Sequence, residues 1–129
     1  VEGRQLRQYG KRDYVTDVLR DAALAFVADT PRRRPLFLYL SMRAPHGPTE
    51  PDKRDAGSFA GAEVERDAAF NEEDIGDKPA DVRDRPLLKP GPLDDLEAQR
   101  LETLASADRA FADVLDALEQ AGRLDGAYV

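Results

Sequence analysis

The chain has 129 residues, 41% hydrophobic and 35% charged, with 26 acidic against 19 basic side chains and a formal charge of −7. That composition fits one domain of soluble, globular character and argues against nucleic acid or an anionic membrane as partner. There is no cysteine, so disulfides and thiolate zinc sites are excluded here; no run is long and apolar enough to span a membrane, and the amino terminus does not read as a signal peptide.

Residues 1–12 are polar and aperiodic, a loop-like lead-in whose bases Arg4, Arg7, Lys11 and Arg12 read as a solvated surface. From Val15 a helical period begins. Val15, Val18, Leu19, Ala22, Ala23, Phe26 and Val27 fall at helix spacing and predict an amphipathic helix over 15–29. Asp13 or Thr16 is the expected N-cap, and Thr30-Pro31 the stop. Arg32, Arg33 and Arg34 then form a solvated turn.

Leu36-Phe37-Leu38-Tyr39-Leu40-Ser41 is a short apolar run, the length of a strand buried on both faces. It ends in Ala44-Pro45-His46-Gly47-Pro48, where prolines and a glycine fix the backbone around the chain's one histidine. A histidine just past the carboxyl end of a buried strand lies where open α/β sheets hold ligands. The bland alternative is an imidazole that satisfies a loop carbonyl.

Residues 47–92 carry six of the prolines and no sustained period. A loop of this length is functional or disordered. It leaves from the histidine loop, so it is expected to fold over the same end of the sheet. Phe59, Val64, Phe70, Ile75, Val82, Leu87 and Leu88 are the expected anchors. A long helix over about 96–121 follows, opened by Leu93-Asp94-Asp95 with an aspartate as N-cap. Its expected apolar stripe is Leu101, Leu104, Ala105, Phe111, Val114, Leu115 and Leu118. Asp108 falls within that stripe, either as partner to a buried donor or simply at the stripe's edge, and a structural hydrogen bond is favoured over catalysis. Gly122 suits the position just past the helix end, and Ala127-Tyr128-Val129 enters a second strand. The expected order is helix, strand, long loop, helix, strand, with the two strands adjacent and parallel.

Leu36 to Pro48, with its Ala-Pro-His-x-Pro ending, resembles the central strand and histidine loop of the sulfatases. Asp13-Tyr14-Val15-Thr16-Asp17 resembles the segment before that strand. Phe70-Asn71-Glu72-Glu73-Asp74-Ile75-Gly76-Asp77-Lys78-Pro79 is similar to the N-acetylglucosamine-6-sulfatase subgroup. The long helix and the residues after Gly122 fit as well. The resemblance covers nearly the whole chain, but only a central slice of a sulfatase. It implies an α/β fold, part of an alkaline-phosphatase-like parallel-sheet sandwich, with 47–92 as a substrate-facing loop.

The resemblance also implies an activity, hydrolysis of sulfate esters on sugars or other sulfated small molecules. His46 would be both catalytic and substrate-binding, contacting the sulfate and assisting the leaving oxygen. Sulfatases use a formylglycine made within Cys/Ser-x-Pro-x-Arg, and one calcium. Both are expected elsewhere in the protein. Ser41, Ser58 and Ser106 lie in no such motif, and neither does Thr30-Pro31-Arg32. Asp94-Asp95 matches the family's metal-binding pair poorly, so no metal ligand is assigned. The family's Asp-Asn-Gly would fall just beyond Val129. By the same resemblance the compartment would be secreted, periplasmic or lysosomal. Two alternatives stand beside this reading: a non-catalytic or binding piece, and part of a related phosphodiester or phosphonate hydrolase.

Overall fold

The computed structural model describes residue 10 and residues 13–129. The basic cluster Arg4, Arg7, Lys11 and Arg12 lies outside the described residues. Among the described residues there are three helices: α1 over Val15–Asp29, the single-turn α2 over Ala80–Arg83, and α3 over Pro90–Gln120.

α1 has the predicted bounds. Its N-cap position is Tyr14, with no side-chain cap; the Asp13 carboxylate instead accepts the Gly10 N–H at 2.7 Å. At the other end the Thr30 hydroxyl donates to the Phe26 carbonyl at 2.7 Å, and Thr30 is extended ahead of Pro31.

α3 is 31 residues long and starts earlier than expected. Pro90 opens it, because the first turn of a helix has no use for the missing N–H. Asp94 and Asp95 therefore lie inside the helix and do not cap it. The C-terminal end closes as predicted. Gly122 takes φ +62°, the Gly122 N–H reaches the Glu119 carbonyl and the Arg123 N–H reaches that of Leu118, both at 2.8 Å. This is a Schellman closure, which needs a residue at positive φ.

α1 lies along the C-terminal half of α3, and the two run in the same direction. Arg20 pairs with Asp113 at 3.5 Å, and ten residues further along each chain segment Arg123 donates to the Thr30 carbonyl at 2.7 Å. Ala23 and Val27 on α1 are buried, as are Ala110 and Val114 on α3. Each pair is four residues apart, and the alanines let the two ridges approach closely.

The expected strands are not formed. Among the described residues no β-ladder occurs, and residues 36–41 and 127–129 are extended or irregular. A strand exists through its partner's hydrogen bonds, and neither segment has one alongside. The alternation of a strand survives in 36–40. Leu36, Leu38 and Leu40 are half-buried, while Phe37 and Tyr39 are 86% and 82% exposed. One face of this segment is covered, not two. The turns that launch the two segments are joined: Arg123 donates to the Arg34 carbonyl at 3.1 Å, and Arg32 donates weakly to the Gly122 carbonyl at 3.4 Å.

The buried face of α3 also differs from the expected stripe. Glu102, Thr103, Ser106, Ala110 and Val114 are buried, whereas Leu104 and Phe111 are exposed. Asp108 is exposed too, so the structural role assigned to it is not seen; its neighbour Arg109 makes the buried contact described below. The long loop is pinned mainly by polar groups. Val64, Phe70 and Ile75 are half-buried, but Phe59, Val82, Leu87 and Leu88 are exposed.

Candidate active-site loop around His46

Residues 43–48 form a tight turn. The His46 N–H donates to the Arg43 carbonyl at 2.8 Å, and the Arg43 guanidinium returns to the Gly47 carbonyl at 2.7 Å. His46 Nδ1 lies 2.8 Å from that same carbonyl. A carbonyl oxygen only accepts, so Nδ1 carries the hydrogen, and the lone pair of the neutral ring sits on Nε2. The ring is exposed, and Nε2 takes no part in the turn. A fixed imidazole of this kind can accept a proton at Nε2. Once protonated, it can donate to an anionic oxygen.

The loop is held by α3 through groups that the sequence reading did not single out. The Thr49 hydroxyl, three residues after His46, donates to Gln99 Oε1 at 3.0 Å. Asp55 is only 6% exposed. It accepts two bonds from Arg109, each 2.6 Å, and one from the Ser106 hydroxyl at 2.7 Å. These cations and donors favour the charged carboxylate and hold Asp55 below the usual aspartate range, Arg109 first among them and against the cost of burial. The Gly57 N–H donates to Glu102 Oε1 at 2.8 Å. Arg54 ties the same segment to α1 through Asp17 at 2.5 Å; it also bonds Asp52, whose carboxyl is thereby lowered.

Further along, Asp94 accepts the Val64 N–H at 2.9 Å and pairs with Arg66. It therefore anchors the loop. The Asn71 side chain, on a residue at φ +53°, accepts from the Leu88 N–H at 2.8 Å and donates to the Leu88 carbonyl at 3.0 Å. That clasp closes residues 72–87 into one excursion. Lys78 lies 3.0 Å from both Glu72 and Asp77. Between residues 60–63 and α3 is an open cavity of about 590 Å³, lined by Glu63, Asp94, Asp95, Gln99 and Glu102 among others. Gln99, which holds Thr49, is on its wall.

Ser106 beside Asp55 is no activated nucleophile. Its hydroxyl donates to a carboxylate already neutralised by Arg109, with no imidazole within the cluster. Among the described residues no three carboxylate or histidine groups gather in a metal-binding arrangement, and Asp52, Asp55 and Asp94 are each committed to arginine. The described residues thus do not fit a calcium site. No helix among them is long and apolar enough to cross a membrane.

The sulfatase family model matches residues 3–129. An extracellular sulfatase SULF-1 homolog of Drosophila melanogaster is 27% identical over 124 residues, covering 92% of this chain and 11% of that protein. An arylsulfatase of Volvox carteri is 28% identical over 141 residues, covering 90% of this chain and 22% of its own length. No solved structure matches the chain. The chain therefore spans about a tenth to a fifth of the length of these curated relatives. With a family match running from residue 3 to the last residue, and with relatives from an animal and an alga aligned over nine-tenths of it, this chain belongs to the sulfatase family.

Proposed function

We propose that the chain is the histidine-loop segment of a sulfuric ester hydrolase, and that His46 is the residue in it that meets the sulfate group. The single observation that carries the reading is the state of His46. Its ring is exposed, fixed by its own turn through Nδ1, and has Nε2 outside that turn. Once protonated at Nε2, such a ring donates from there to a sulfate oxygen or to the leaving oxygen as charge builds there. A histidine that only satisfied a loop carbonyl would make the same Nδ1 contact with Gly47; the sulfate reading adds a role for the exposed ring and its Nε2.

Sulfated sugars are the substrate class this reading favours. The cavity walled by Gln99 also carries Asp95, whose carboxylate can accept from the hydroxyl groups of a leaving sugar. The similarity of Phe70–Pro79 to the N-acetylglucosamine-6-sulfatase subgroup points the same way. Calcium and a formylglycine nucleophile would come from residues other than these, because Asp52, Asp55 and Asp94 are paired with arginine and no serine lies in the required motif. A secreted, periplasmic or lysosomal compartment fits the family; one relative is named as extracellular.

The test is turnover by the intact protein on matched aryl esters. An aryl sulfate hydrolysed well ahead of the aryl phosphodiester and phosphonate supports the proposal. The reverse order would assign the chain to a phosphodiester or phosphonate hydrolase.

A further inference from the structure

We propose that one polar face of α3 positions His46, with Asp55 as the main fastener; this rests on the reading of His46 given above. Gln99, Glu102, Ser106 and Arg109 are spaced i, i+3, i+7 and i+10, which puts them on one face of the helix. That face receives the chain after His46 at three successive points. Thr49 bonds Gln99, Gly57 bonds Glu102, and Asp55 bonds Ser106 and Arg109.

The links from these points back to His46 are short and stiff. Pro48 and Pro51 lie between His46 and Asp55, and each fixes its own φ. Among the described residues the His46 ring bonds only the Gly47 carbonyl, which the Arg43 guanidinium also holds. Its placement therefore follows the anchors around it. Asp55 and Ser106 are buried and mutually satisfied, so they have nothing left to offer a ligand. Asp55 is accordingly a positioning residue, and it acts on chemistry through where it holds the histidine loop.

A merely structural role would lower stability but would not depend on His46. The experiment is a double-mutant cycle in the intact protein, with kcat and KM measured on an aryl sulfate for wild type, Asp55→Asn, His46→Ala and the double variant. Asp55→Asn is expected to lower kcat by about 10–100-fold with KM within about twofold, because a misplaced catalytic group loses rate before binding. In the His46→Ala background the same substitution is expected to cost less than about twofold, since positioning a group that is absent has no value. Thr49→Val, which removes a single surface hydrogen bond, is carried through the same cycle and decides the matter if Asp55→Asn does not fold. Asp108→Asn, exposed on the same helix, is the control and leaves both constants unchanged. Equal losses with and without His46, or a loss confined to KM, would overturn the inference while leaving the sulfatase reading intact. A wild-type protein that hydrolyses no sulfate ester would overturn both.

Discussion

Asp55 and His46 are nine residues apart in the chain, yet their environments are opposite. Asp55 is buried against a guanidinium and a hydroxyl, while His46 is exposed. Replacing Asp55 by alanine strands Arg109, which is partly exposed and can rehydrate. The expected cost is therefore about 1–3 kcal/mol, below that of breaking a fully buried pair. The pH dependence follows from the direction of the shift. Native Asp55 holds its proton less tightly than the unfolded chain does. Its contribution is therefore complete above the unfolded aspartate value of about 3.9 and is lost as pH falls through the lower native value. Asp52, lowered by Arg54, adds to the same acid limb. Denaturation midpoints against pH should be flat near neutrality and fall below about pH 4, less steeply in Asp55→Asn. An unchanged acid limb in that variant would remove Asp55 from the account. His46 has no comparable partner, and His46→Ala is expected to change stability by no more than about 0.5 kcal/mol.

The helices show which parts of the fold the sequence made legible. α1 was readable because its apolar period and the Thr30-Pro31 stop are local properties. The Gly122 closure was readable for the same reason. Gly122→Ala should cost about 1 kcal/mol, since alanine resists positive φ, and its Cβ would meet the movable end of Arg32; a thermal melt measures this, and an unchanged midpoint would contradict it. The buried face of α3 was not readable. Its apolar residues outnumber what α1 can cover, so Leu104 and Phe111 stay exposed while Glu102, Thr103 and Ser106 are buried. The spacing of Gln99, Glu102, Ser106 and Arg109 was visible in the sequence, but the loop residues that meet them lie 45–54 positions away. Nothing local states that register. The strand reading of 36–41 captured the alternation and not the ladder, because a ladder depends on a neighbour. Membership of the sulfatase family implies the alkaline-phosphatase-like fold. The tight turn around His46 was legible because prolines and a glycine set it apart; the groups that fasten the chain after it were not.

At the scale of the whole molecule the apolar core is thin. Among the described residues the buried hydrophobic side chains are Ala23, Val27, Ala110 and Val114, while Phe37, Tyr39, Leu87 and Tyr128 are widely exposed. Small side chains of this kind bury little area, and exposed aromatic faces favour association. The 129-residue chain on its own is therefore expected to unfold with weak cooperativity and to associate. Sedimentation and denaturant titration would reveal this, and a stable monomer with a sharp transition would contradict it. By itself the chain is also expected to hydrolyse no aryl sulfate, because catalytic groups act as a unit and one imidazole alone does little. The central claim is that His46 serves the reaction and not the fold. Its most direct test is the turnover of an aryl sulfate by the intact protein and by His46→Ala, with the melting temperature of each recorded alongside. The account predicts a loss of about 10²–10⁴ in turnover with the melting temperature nearly unchanged; unchanged turnover with a clearly lowered melting temperature would contradict it.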